Sequence, residues 1–205
     1  MKQLHEPHLF GWSVFNPERN LDFHSVFWRR SEGNVAIDPL PLSAHDRAHV
    51  EALGGLREII ITNSDHVRAS RELAEGTGAR IWVPRAEQSL LASQLGAVEA
   101  RGLGDGEEPF EGLSALELHG SKTLGELAIV IAGNTLVAGD LVRGHRAGRL
   151  NLLPEPKLTD KAQALASLRR LGALPGIDAV LVGDGWPVFK GGAQALAALI
   201  QELGG

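Results

Sequence analysis

The sequence predicts a mixed fold of β-strands and α-helices built as one domain, and three observations predict it. Apolar strand-like runs alternate with helix-like segments along most of the chain. A chain of 205 residues that is 43% hydrophobic is long enough for one substantial core, and no Pro/Gly/Ser-rich linker divides it. The run Ile59-Ile60-Ile61 reads as a buried strand that stops abruptly at Thr62-Asn63-Ser64-Asp65-His66-Val67-Arg68. Polar groups crowded at the end of a buried strand are where such folds build their sites.

The elements follow in order. Residues 1–20 mix His5, His8, Trp12, Phe15, Pro17 and Asn20 without a clear period and read as an irregular lead-in. Strand-like runs over Phe23–Arg30 and Asn34–Asp38 flank a Glu32-Gly33 turn. Ser43 suits the N-cap of a helix to about Leu53, stopped by Gly54-Gly55. After the isoleucine strand, a helix over Ala69–Gly76, a strand over Arg80–Val83 and a helix over Glu87–Leu95 continue the alternation. Gly102–Glu111 is rich in turn residues. Strands over Ser114–Leu118, Glu126–Ile131 and Thr135–Ala138 come next, with Gly133-Asn134 as a hairpin turn. Arg143–Thr159 reads as a long irregular loop, too polar and too rich in Gly and Pro for a core element, and such loops are often functional. Asp160 then caps a helix to Leu171, Ala179–Val182 is a buried strand, Gly183-Asp184-Gly185 turns, and Ala193–Leu203 is the last helix.

Composition narrows the partners. With 25 acidic against 20 basic residues, a formal charge of −5 and no Lys/Arg-rich run, neither nucleic acid nor an anionic membrane is an expected partner. Small molecules are. The absence of cysteine excludes disulfides, thiolate-metal sites and a Cys nucleophile, so any metal must use N and O ligands. Met1–Phe15 lacks a signal pattern and no apolar run approaches the roughly 20 residues of a membrane span, so a cytoplasmic location is expected. Oligomeric state is not legible.

Four strand ends share one grammar, an apolar run followed at once by polar residues with Gly nearby: Asn63–Arg68, Gly120–Gly125, Gly139-Asp140 and Gly183-Asp184-Gly185. Together with Asn34–Pro39 they resemble the metallo-β-lactamase superfamily over nearly the whole chain. Asn34–Pro39 is similar to that family's second strand ending in Asp, and Thr62–Arg68 aligns without a gap to its Thr-His-x-His-x-Asp-His. Gly120–Gly125 resembles its Pro-Gly-His-Thr-x-Gly, Leu136–Val142 its strand ending in Gly-Asp, and Val182–Gly185 its late Gly-His-Gly. The resemblance implies an α+β fold, the four-layer αββα sandwich. It also implies a site where the strand ends gather, and hydrolysis of a small ester, thioester, amide or lactone.

The departures bear on the chemistry. The family's metal ligands fall on Asn63, Asp65, Val67, Arg68, Lys122, Asp140 and Asp184, and only Asp140 keeps the expected residue. Protonated Lys and Arg cannot ligate, nor can Val, so the dinuclear zinc site is expected to be absent. Asp65, Asp140 and Asp184 buried together would repel unless cations sat among them, and Lys122 and Arg68 are expected to stand in for the metals. The alternative keeps one divalent ion on Asp65, Asp140 and Asp184, with the Asn63 amide and His66 as further ligands.

In the hydrolase reading the catalytic residues are Asp65, His66, Lys122, Asp140 and Asp184. His66 or an Asp acts as base, with Lys122 or Arg68 as electrophile. Asn63, Arg68, Arg143, His145 and Trp186 then bind substrate, Trp186 walling the pocket. Each also has a structural reading: Asp140 and Asp184 as turn residues, Lys122 as a solvated loop lysine, Arg68 as a partner of Asp65, and His66 as a packed core histidine. The competing functional class is a non-catalytic small-molecule binding or sensor protein on the same fold.

Overall fold

Antiparallel pairing begins the chain. In the computed structural model, which describes residues 1–204, β1 (Lys2–Gln3), β2 (Leu9–Asn16) and β3 (Leu21–Trp28) form a meander, with Leu9 opposite Trp28 and Asn16 opposite Leu21. The expected irregular lead-in is therefore a strand pair. Leu9, Phe10 and Trp12 are all buried whereas Val14 and Phe15 further on are exposed, so no two-residue alternation betrays the strand.

Strand β4 (Val35–Ile37) joins β3 antiparallel. Strands β5 (Glu58–Ile60) and β6 (Arg80–Pro84) extend the sheet in parallel, and β7 (Ala100–Leu103) lies at its far edge. Parallel strands are buried on both faces, which is why β5 shows a continuous apolar run. Its one charged residue, Glu58, is buried but accepts from Trp82 Nε1 (2.9 Å) and pairs with Arg80.

Three helices cover this sheet. Helix α1 (Ala44–Ala52) starts where Ser43 Oγ accepts from the Asp46 amide (3.0 Å), and its Val50 packs on Phe10, Phe27 and Ala36. Leu73 and Ala74 of α2 (Ser70–Thr77) and Leu91 and Leu95 of α3 (Gln88–Leu95) pack on Ile59, Ile61, Ile81 and Val83. These elements make up one unit, Met1–Gly102.

The second unit begins at Leu103. Its sheet runs in the order β13 (Ala179–Val182), β10 (Thr135–Ala138), β9 (Glu126–Ile131), β8 (Leu113–Leu118), antiparallel except for the β10–β13 pair. The β9–β10 turn centres on Ala132-Gly133, both at positive φ, one residue earlier than the Gly133-Asn134 expected. Between β10 and the next helix lies a hairpin, β11 (Val142–Arg146) and β12 (Arg149–Leu152), which corrects the expectation of an irregular loop from Arg143. Val142 and Leu150 anchor it in the core, and its polarity had concealed it. Helix α4 (Lys161–Gly172), capped by Asp160, and α5 (Gly192–Glu202) close the unit with Leu168, Leu171, Leu196 and Leu199 packed on Leu136, Val180 and Val182. Among the described residues, no helix is long and apolar enough to cross a membrane.

Candidate functional site

In the first unit the polar groups gather where β4 and β5 end. Asp38 follows β4 directly, and its amide donates to the Ile60 carbonyl (2.9 Å). Its buried carboxylate then accepts from the Thr62 amide on Oδ1 (2.7 Å), from the Thr62 hydroxyl on Oδ2 (2.6 Å) and from His66 Nδ1 on Oδ2 (2.8 Å). Burial opposes ionisation of Asp38, but His66, Arg68 and Thr62 together hold its carboxyl below the usual aspartate range. Arg68 Nη1 donates to the carbonyls of His24 (2.6 Å) and Asp38 (2.9 Å).

Asp38 and Arg68 both have left-handed backbone, at φ 48° and 45°. Such a conformation costs a non-glycine residue about 1–2 kcal/mol, and it persists where surrounding bonds over-determine it. Here the Arg68 guanidinium, the two carbonyls and the Asp38 carboxylate supply those bonds.

His66 is buried and Asp65 exposed because Ser64–His66 is a 3₁₀ turn, in which consecutive side chains point about 120° apart. Asn63 Oδ1 caps this turn by accepting from the Asp65 amide (3.0 Å), and the buried carboxylate of Glu87 accepts from the Ser64 amide (2.6 Å).

In the second unit the loop after β8 and the strand end after β10 are tied by Glu126, a fully buried acid. Its Oε2 accepts from Ser121 Oγ (2.6 Å) and its Oε1 from the Leu141 amide (2.8 Å). Ser121 and Leu141 flank the two charged residues that matter, Lys122 and Asp140. Lys122 Nζ lies 2.6 Å from Asp140 Oδ2 and Arg143 Nη2 2.5 Å from Asp140 Oδ1, while Arg143 Nη1 lies 3.0 Å from Asp184 Oδ2. Arg143 Nε also donates to the Asp140 carbonyl (3.1 Å). Asp140, Arg143 and Asp184 are all buried, whereas the Lys122 side chain is 22% exposed.

A close backbone crossing sets this arrangement. Gly144 pairs with Gly185 in a parallel bridge, its amide donating to the Asp184 carbonyl (3.1 Å). A Cβ on Gly144 would fall 2.0 Å from the Trp186 carbonyl oxygen, and one on Gly185 2.3 Å from that of Gly144. Arg143 and Asp184 are thus neighbours across a contact that only glycines permit. One residue beyond Gly144, His145 is largely exposed; partial desolvation of its ring and the Arg143 and Lys157 charges, partly offset by Asp184, hold its imidazole pKa below the usual value. Trp186 is 61% exposed.

Several expectations change. Asp65, Asp140 and Asp184 are not three carboxylates buried alike, because the 3₁₀ turn puts Asp65 in solvent. The second cation on the aspartates is Arg143 and not Arg68, whose guanidinium is held by backbone carbonyls of its own sheet. Arg143 sits on a strand and is taken up by the chain's own carboxylates, which removes it as a loop residue for an anionic ligand. Asn63 is buried as a turn cap. Lys122 and Asp140 do pair, and Trp186 is open to solvent. Sequence reasoning passed over Asp38 as a site residue, although it ends the strand of the Asn34–Pro39 motif. It also passed over Glu126, whose only signal was an acid at the head of an otherwise apolar strand.

Two layers of finding define the class. The fold is an α+β sandwich of the metallo-beta-lactamase kind: it superposes on a metallo-beta-lactamase from Pontibacter korlensis with a TM-score of 0.75 at 14% identity, covering 97% of this chain and 96% of that one. A metallo-beta-lactamase superfamily protein from Sulfolobus tokodaii gives 0.69 at 17% identity, over 95% and 86%. TTHA1623, solved in a di-iron-bound form, gives 0.66 at 24% identity, over 90% and 96%. No curated protein matches the chain. A sequence profile of the metallo-beta-lactamase superfamily matches residues 1–203, and the chain belongs to that superfamily.

Proposed function

We propose that the chain is a cytoplasmic hydrolase of a small ester, thioester, amide or lactone that activates water with a side-chain base instead of a dinuclear metal centre. The observation that supports this is the Asp38–His66 pair. A carboxylate held ionised 2.8 Å from Nδ1 fixes the proton on that nitrogen and makes Nε2 the basic one, the arrangement by which an imidazole takes a proton from water or an alcohol. The Thr62 hydroxyl, donating to the same carboxylate oxygen, steadies the pair. Within the second unit Lys122, its side chain 22% exposed and its ammonium on Asp140, is the candidate cation for a substrate's negative charge.

The superfamily implies a metal, and the second unit offers buried residues of ligand type in Asp140 and Asp184. Their setting fits an ion poorly. Lys122, Arg143, Asp140 and Asp184 form a set of two positive and two negative charges, already neutral, and a divalent ion added there would leave a buried excess of two positive charges. In this reading the activation of water falls to side chains alone.

A second reading, a non-catalytic small-molecule binding or sensor protein, is favoured by the same closed charge set, because Asp140 and Asp184 are engaged by the chain's own cations. Generic aryl ester, thioester and lactone substrates offered to the wild type and to the His66→Gln, Asp38→Asn and Lys122→Ala variants separate the two. Turnover that falls at least about 100-fold in His66→Gln supports the hydrolase. Absence of turnover in every protein, with a small molecule copurifying, supports the binding reading.

A further inference from the structure

We propose that Arg143 is a resident internal cation: its guanidinium fork bridges Asp140 and Asp184 in the role a bridging metal ion would take, and with Lys122 it makes the centre closed to added metal. The inference rests on the reading of the centre as metal-free and is independent of whether the chain hydrolyses anything. Three features carry it. The guanidinium is buried, with its side chain 3% exposed, so it is not a surface arginine that happens to meet acids. It engages the two carboxylates through different nitrogens, Nη2 to Asp140 and Nη1 to Asp184, as one ion between two ligands would. The Gly144–Gly185 crossing holds the residues on either side of the fork at fixed separation, so the bridge is part of the backbone plan.

Charge arithmetic gives the test. Replacing both Lys122 and Arg143 by Met removes two positive charges from beside the buried Asp140 and Asp184, a change that one divalent ion would restore. The double variant should therefore acquire what the wild type excludes.

Wild type, Lys122→Met/Arg143→Met, and that double variant carrying Asp140→Asn as well are dialysed against Mn²⁺ or Zn²⁺ at about 1 mM. Bound metal is then counted, and thermal unfolding is followed with and without chelator. The expected result is no retained ion and no chelator effect for the wild type. For the double variant, one ion per chain and an apparent affinity at least about 100-fold tighter than the wild type's are expected, and both are lost on adding Asp140→Asn. If the double variant folds only when the ion is present, that rescue supports the proposal equally. A wild type that retains stoichiometric metal and loses stability to chelator overturns it, as does a double variant, folded or not, that gains nothing from either ion. Ester turnover by the wild type is scored separately, so loss of the hydrolase reading leaves this result standing.

Discussion

Asp38→Asn is the most informative single change, because it keeps the side-chain shape and removes the charge. Asp38 accepts from the Thr62 amide, the Thr62 hydroxyl and His66 Nδ1 at 2.6–2.8 Å in a buried setting. Asparagine offers one acceptor oxygen and turns a donor toward the remaining partners, so at least one buried donor loses its acceptor. Hydrogen bonds to a charged group contribute about 1.5–3 kcal/mol each, so the net loss should be about 2–4 kcal/mol. Because Asn tolerates left-handed backbone, the variant isolates the carboxylate; Asp38→Ala should cost about 1 kcal/mol more from the strained φ of 48°.

The pH dependence has a definite sign. The carboxyl's pKa is lowered in the folded state from the ordinary 3.8, so its contribution is fully present above that value and is lost as pH falls through the folded-state pKa. Urea midpoints at a series of pH values read both effects. The gap between wild type and Asp38→Asn should be constant at neutral pH and close in acid below the ordinary aspartate range. A gap under about 0.5 kcal/mol at neutral pH, a size typical of surface changes, would falsify the claim that this carboxylate organises the β4–β5 strand ends.

Two further outcomes follow from the second unit. Gly144→Ala places a methyl 2.0 Å from the Trp186 carbonyl, so thermal unfolding should shift down by an amount equivalent to about 2 kcal/mol or more, and a change within error would show that the crossing yields easily. The His145 imidazole, disfavoured as a cation by burial and by Arg143, should titrate in NMR spectra below the ordinary histidine value, and Arg143→Met should move the midpoint upward; no movement would remove Arg143 as a cause.

How much could be read from the chain depended on what each element buries. The parallel strand β5 and the capped helices α1 and α4 announce themselves, since burial on both faces and a capping Ser43 or Asp160 leave local signals. Strand β2 and the β11–β12 hairpin do not, because one emerges into solvent half-way and the other carries a buried arginine shared between nearby Asp140 and Asp184, far along the sequence. The site divides in the same way. That Lys122 would sit among the strand-end aspartates came from the family resemblance together with their charges, and it lies on Asp140. The choice of Arg143 over Arg68 did not, because it depends on a glycine crossing and on a carbonyl pair that attracts Arg68 elsewhere. The rotation that turns His66 inward and Asp65 outward belongs to a single 3₁₀ turn, and no side-chain period records it.

The Gly144–Gly185 crossing also bears on how the protein could be redesigned. The exposed side chains at 145 and 186 can be exchanged for others of different charge or size, but the spacing between the segments that carry them is set by main-chain atoms in contact, and those atoms are the same in every variant. New chemistry can thus be tried on either side of the crossing without redesigning its geometry, provided positions 144 and 185 keep no side chain at all.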